Sequence, residues 1–354
     1  MAQTLQKRFF RDIDLEDSFF DSLKADYKEF PNWFAKKQNT EAFVFYSASG
    51  GLDGFLYLKK EKEQIGSNKV QEIDVERLKI GTFKINPHGT RLGERFLKRA
   101  FDVAIANNLT QVYVTVFAKH VGLVDLFEKY GFILVGQKKS ENGVEGIYLK
   151  DFDKLQRTVA SNYPKIPIKK DRHFALSLYP KWHTRLLPDS LLANENETII
   201  TDVSHTNSIH KIYLTSMGGV DQLLVGDTLL IYRTADGGSG YYTSVITSLG
   251  VVEDVRHIRS FEKQEDFLNY CLPYSIFTEA ELTNFYSTKK YPFLIQFTYN
   301  LALTKKINRK LLIEEVGISR DAYAGFLNIT TVQLKKILTL STDYEKKRSL
   351  FYTS

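Results

Sequence analysis

A single cysteine, Cys271, and two methionines are all the sulfur in 354 residues. One cysteine leaves no partner for an intramolecular disulfide and no set for a cysteine-based zinc site, so it reads as a small buried apolar residue. His205 and His210 lie five apart with no cysteine or acidic partner at ligand spacing, so no metal is expected. No window approaches the ~20 uninterrupted apolar residues that a membrane span needs, which argues against a membrane partner. The opening residues MAQTLQKRFFRDIDLED are charged throughout rather than built as a signal peptide, and the expected location is cytoplasmic. Charge of one sign is in only mild excess, a formal +6, so its distribution matters more than its size.

Hydrophobic residues are plentiful, at 43% of a chain too long for one convenient core. The expected organisation is a domain over residues 1–155, a connector over 156–194 and a second domain over 195–354. The connector rests on YPKIPIKKDRHFALSLYPKWHTR (163–185), where six basic residues face one acidic residue and three of the eight prolines fall. It reads either as a solvated linker or as a strap against a polyanion.

Residues 1–155 alternate between strand and helix patterns. KRFFRDI reads as a strand. The stretch after it carries Phe19, Phe20, Leu23 and Tyr27 at helical spacing, interrupted by Pro31. AFVFYSA and GFLYLKKEK form a hairpin around SGGLD. ERLKIGTFKINP (76–87) is a long central strand that runs into the loop NPHGTR. GERFLKRAFDVAIANN then places Phe96, Ala100, Val103, Ala104 and Ile105 on one helical stripe. QVYVTVF is a further strand, VGLVDLFEKYGF a helix ended by Gly131, and ILVGQKK with GVEGIYLKD a closing hairpin.

This order, over roughly residues 5–150, resembles the GCN5-related N-acetyltransferase (GNAT) family. The family signature, Gln or Arg, two residues, Gly, one residue, then Gly or Ala, falls on His88, Gly89, Thr90, Arg91, Leu92 and Gly93. Only Gly93 matches strictly; His88 stands in for Arg or Gln, and Arg91 replaces the middle glycine. LFEKYGF (126–132) resembles the family's helix-to-strand segment. The resemblance implies acetyl-CoA as cofactor, its diphosphate held by amides of residues 89–94, including Glu94, at the start of a helix. It also implies a pantetheine arm beside Phe83 and Ile85. The position where many members carry a catalytic tyrosine is Phe127. Tyr130 or His120 could supply the missing acid, and Glu76 could serve as base; structural or solvated roles stay open for all three.

From about 195 the texture turns to short β-rich segments and turns. LLVGDTLLIYR, TSLGVVEDV and YSIFTEAEL, the last with Thr278 and Glu281 as a capping box, resemble the PUA-like superfamily, closest to its EVE and ASCH branches. The fold class expected for the whole is α/β (α+β): a GNAT-like mixed sheet flanked by helices, then a PUA-like β-barrel with helices. The second resemblance implies a nucleotide or RNA partner. Lys169, Lys170, Arg172, Tyr232 and Arg233 are the candidate contacts, and the final segment reads as a helix fraying into a basic tail. Two functions follow: an N-acetyltransferase delivered to its unknown acceptor amine by an RNA-binding module, or a non-catalytic coenzyme A- or nucleic-acid-binding regulator such as a toxin–antitoxin or defence component.

Overall fold

The computed structural model describes residues 4–62, 75–193, 195–196, 200–322 and 325–353. The chain divides into two compact units, Met1–Gln156 and Arg157–Ser354, both of mixed α+β class.

The first unit runs β1 (Gln6–Phe9), α1 (Asp21–Asp26), α2 (Phe30–Ala35), β2 (Glu41–Tyr46), β3 (Leu52–Glu61), β4 (Arg77–Ile85), α3 (Leu92–Ala106), β5 (Gln111–Phe117), α4 (Val121–Lys129), β6 (Ile133–Ser140) and β7 (Gly143–Asp151). Pro31 sits in the first turn of α2, where its missing N–H breaks no helical bond, so it opens a second helix rather than kinking one. The seven strands lie in the order β1-β2-β3-β4-β5-β7-β6, and only β4 and β5 pair in parallel.

Alternation on β3 separates the two faces of the sheet. Phe55 points at α2, with its ring 6.2 Å from that of Phe34, in an aromatic cluster with Phe10 and Phe20. Gly54 points the other way, where a β-carbon would come within 2.5 Å of the Phe96 ring of α3. A residue without a side chain there lets α3 lie directly on the sheet.

The second unit runs α5 (Val159–Asn162), β8 (Ile166–Ile168), β9 (His173–Leu178), α6 (Pro180–Leu186), α7 (Ser204–Asn207), β10 (His210–Thr215), β11 (Thr228–Arg233), α8 (Gly240–Thr243), β12 (Val245–His257), α9 (Gln264–Cys271), α10 (Glu279–Thr288), β13 (Phe293–Asn308), α11 (Arg309–Glu314), β14 (Phe326–Ile329), α12 (Thr331–Leu340), α13 (Asp343–Lys346) and β15 (Phe351–Thr353). Six strands form a sheet in the order β10-β13-β12-β11-β9-β14, so β10 and β14 are its edges and, among the described residues, no pairing closes it into the expected barrel. Register shifts bend the long pair β12 and β13 instead. Phe174, Leu229, Phe267, Leu282 and Phe297 share its core with Cys271, whose thiol burial pushes up.

Two expectations are corrected here. Residues 156–194 are not a connector: β9 lies between β11 and β14 with all six of its residues buried, and α6 follows it. The C-terminal segment does not fray, since β15 pairs in parallel with β8 and Lys165 Nζ donates to the carbonyl of Ser349 at 2.7 Å.

The Thr278–Glu281 capping box is present at the start of α10, with both reciprocal bonds made. Thr278→Ala removes the hydroxyl that accepts the Glu281 amide and is expected to destabilise the second unit by ~1 kcal/mol in urea denaturation. Loss under ~0.3 kcal/mol would mean that solvent caps this helix as well as the side chain does.

Candidate active site

The sheet of the first unit opens between β4 and β5. Their parallel ladder runs only from Leu78↔Val112 to Ile80↔Val114. Beyond it β4 stays paired with β3 as far as Ile85↔Gly54, and β5 with β7 as far as Phe117↔Glu145. The two strands therefore part while each remains anchored on its outer side. A cavity of about 1240 Å³ fills the gap, walled by residues 79–93 on one side and 114–117 on the other. Phe83 and Ile85 line it.

The loop after β4 leads the cavity to the start of α3. Asn86 fastens its beginning, its amide donating to the carbonyl of Asp53 at 2.9 Å and its side chain to that of Leu52 at 3.3 Å. Gly89 has φ of +82° and nothing within 4 Å of where a β-carbon would sit, so it gives both a left-handed turn and open space. Arg91, at φ 59°, is the residue before α3 and gives the helix no side-chain cap. The first-turn amides of a helix have no partner in its own i→i−4 ladder, and the helix dipole makes that end positive; here the Glu94 amide is already taken by the carbonyl of Arg91 at 2.9 Å. His88, Gly89, Thr90, Arg91, Leu92 and Gly93 all line the cavity here.

Glu94 and Phe127 do not. Glu94 is buried and pairs with Lys129 at 2.9 Å and Arg91 at 3.6 Å, so it anchors the loop's arginine rather than facing a ligand. Phe127 is fully buried, packed edge-on to Phe83 at 5.5 Å and against Phe132 at 5.0 Å, and supports the wall from behind.

The three catalytic candidates separate. Tyr130 is fully buried and does not line the cavity, which removes it as a proton donor there. Glu76 is exposed just before β4, at the end opposite the loop, and is likewise off the lining. His120 does line the cavity, and its Nε2 lies 2.9 Å from Asp26 Oδ2. Asp26 also bonds Lys119; burial raises its carboxyl, but the bonds from Lys119 and His120 outweigh this and leave it lowered.

Sequence reasoning missed Tyr27 and Glu145. The Tyr27 hydroxyl donates to Glu145 Oε1 at 2.7 Å, and both residues line the cavity across from the loop. Burial first, then the bond and charge of Glu145, push the Tyr27 phenol up, so it stays protonated and a donor. Nearby, Lys84 donates to Ser22 Oγ at 2.6 Å and is lowered by burial. No short motif marks Tyr27 and Glu145, because they lie 118 residues apart.

In the second unit the expected nucleic-acid contacts are largely turned inward. Tyr232 and Arg233 are each 4% exposed on β11, and Arg233 pairs with Glu195 at 3.2 Å. Arg172 is bound to the buried carboxylate of Asp227 and to the carbonyl of Gln222. Lys169 Nζ lies 3.3 Å from the carbonyl of Val225, which leaves Lys170 exposed among the five.

No protein-family model and no curated protein matches the sequence. Solved structures do. A GNAT family acetyltransferase from Elizabethkingia anophelis with acetyl-CoA bound is similar at 12% identity and a TM-score of 0.32, over 42% of this chain and 98% of that one. Arabidopsis thaliana Naa50 in complex with a bisubstrate analogue is similar at 16% identity and 0.30, over 43% and 100%. ZmASCH from Zymomonas mobilis is similar at 10% identity and 0.32, over 48% and 98%. The chain is thus similar both to GNAT acetyltransferases and to an ASCH protein, each over less than half of its length.

Proposed function

We propose that the first unit transfers an acetyl group from acetyl-CoA to an amine. The observation that carries this reading is the parted β4–β5 ladder, whose cavity leads to the amides that start α3. The donors fit the cofactor's chemistry. A diphosphate needs amide donors and positive potential, supplied by the first turn of α3 with Arg91 beside it. The pantetheine arm is an extended chain with two amides, and backbone of β4 past Ile80, no longer paired with β5, is the edge on which such a chain docks as an added strand. When bound, acetyl-CoA would supply an activated acyl group as a thioester. Calorimetric titration of the full chain with acetyl-CoA, followed by a thiol-release assay with amines, tests the proposal. Binding with no thiol release for any acceptor favours the non-catalytic regulator, and no binding removes the coenzyme reading.

A second reading, for the second unit, rests on a surface groove lined by Tyr241, Tyr242, Arg309, Lys310 and Arg320, with one acid, Glu314, that accepts the Tyr241 hydroxyl at 2.6 Å and lies 3.8 Å from Lys310. Tyr242 is 58% exposed and meets Tyr241 edge-on at 5.0 Å. An exposed ring beside cations suits single-stranded nucleic acid, whose bases stack and whose phosphates pair. Tyr242→Ala is expected to weaken oligonucleotide binding about tenfold and leave its salt slope unchanged. Replacing Lys310 and Arg320 with alanine should lower the slope by about 1 to 2 in log affinity against log salt. Fluorescence anisotropy of the full chain across a salt series reads both, and binding indifferent to salt would remove this reading.

A further inference from the structure

Glu145 is a carboxylate 5% exposed, with the Tyr27 hydroxyl as its hydrogen-bond partner and, among the described residues, no cation within ion-pair distance. A buried anion without a counter-charge is costly, and proteins keep one where a ligand completes the pair. The other carboxylates around this part of the cavity are already partnered, whereas of its lysines Lys84 donates to a neutral hydroxyl, Ser22 Oγ at 2.6 Å, and Lys37 lies over the Tyr57 ring. Asp26 holds Lys119 and His120, Glu29 accepts from Asn142, and Glu61 holds Lys59 and Lys79. Lys138, opposite Glu145 in the β6–β7 register, is exposed and forms no ion pair with it.

Resting on the acetyl-transfer reading, we propose that Glu145, held by Tyr27, is the subsite for the acceptor and takes a primary ammonium. Phe30, Trp33 and Phe117 also line the cavity and give it an apolar, aromatic wall, which suits an amine borne on an apolar or aromatic group. Tyr27 fixes one carboxylate oxygen as acceptor of its hydroxyl, leaving lone pairs of the carboxylate for the ammonium. In the reaction, one ammonium proton passes to Glu145 and frees the nitrogen lone pair. The C–N bond then forms at the thioester carbonyl as the C–S bond breaks, and the sulfur leaves with the second nitrogen proton. Glu145 returns its proton to solvent through the cavity mouth.

The test uses the full chain, with benzylammonium as probe and benzyl alcohol as its neutral control. Without cofactor, wild type is expected to bind benzylammonium at least tenfold more tightly than benzyl alcohol in calorimetric titration. Glu145→Gln, which keeps shape and a hydrogen-bond acceptor, should abolish that preference, and Tyr27→Phe should reduce it. Acetyl-CoA affinity should stay within twofold in both variants, which shows that they are folded and that the cofactor side is untouched. Thiol release with benzylamine should fall about a hundredfold in Glu145→Gln, the scale of a lost general base. Equal binding of the two probes by wild type, or an undiminished preference in Glu145→Gln, would overturn the proposal. Failure of wild type to bind acetyl-CoA while the ammonium preference stands would overturn the transfer reading alone and leave the ammonium site.

Discussion

Acetyl-CoA binding to a Gly93→Asp variant is expected to weaken by about a hundredfold, ~2.7 kcal/mol. Two effects add. Gly93 lies in the first turn of α3, and a β-carbon on it would sit 3.1 Å from Leu126 Cδ2 and 3.7 Å from Ile85 Cδ1, tighter than the first contact normally allows. All three residues line the cavity, so the added side chain is placed where the ligand would pass. The carboxylate also brings a negative charge to the end of the helix proposed to meet a diphosphate, cancelling the dipole's contribution and repelling two phosphate charges. Gly93→Ala separates the two, because it keeps the crowding and omits the charge; it should cost about tenfold or less. Calorimetry on variants shown to melt within a few degrees of wild type reads the result. Unchanged affinity in a folded Gly93→Asp protein would move the diphosphate away from this turn.

Local pattern and long-range pairing divide what the sequence made legible from what it hid. QVYVTVF reads as a strand, and Gln111–Phe117 is one, because a short apolar run rich in β-branched residues has few other options. The helix after NPHGTR and the capping box at Thr278 were legible for a similar reason: both signals lie within one turn of chain. Residues 163–185 misled because their prolines and lysines mask HFALSL, a strand buried along its whole length. Lys165, Lys169 and Arg172 look like a basic strap in sequence, yet each meets an acceptor from a distant part of the unit: Ser349, Val225 and Asp227. Tyr232 and Arg233 fail in the same way, since β11 is flanked by β9 and β12 and burial there is decided by strands far off in sequence. At the candidate site the turn before α3 was legible as a turn and the opposite wall of the cavity was not. Glu145 has no local signature, and what gives it meaning is the phenol of Tyr27, which only the fold brings to it.

The second unit is expected to lose ~2 to ~4 kcal/mol of stability between pH 8 and pH 5. His183 is fully buried, with Nε2 2.8 Å from Thr247 Oγ1. Burial, then the charges of Arg233 and Lys306, draws its pKa from 6.5 to about 3. His205, half-buried, is drawn to about 3 by burial and by Lys211 and Arg185. His173 is lowered as well, chiefly by burial. Between pH 6.5 and 3 the unfolded chain therefore binds protons that the folded chain refuses, so stability rises with pH through that window and is lost as pH falls. At pH 5 an unfolded histidine of pKa 6.5 gains ~2 kcal/mol from protonation, a figure that needs only a folded pKa well under 5. Of the lowered carboxyls, Asp26 and Glu29 belong to the first unit, and their contribution is lost only as pH falls through the carboxylate range. Urea denaturation followed by the fluorescence of Trp182, in a Trp33→Phe background, reads the second unit specifically. His183→Gln preserves a hydrogen bond to Thr247 and should flatten the pH difference by ~2 kcal/mol. Equal stability of the parent at the two pH values, or a difference untouched by His183→Gln, would mean that His183 takes up its proton in the folded state, and that Thr247, Arg233 and Lys306 can rearrange to accept the charge.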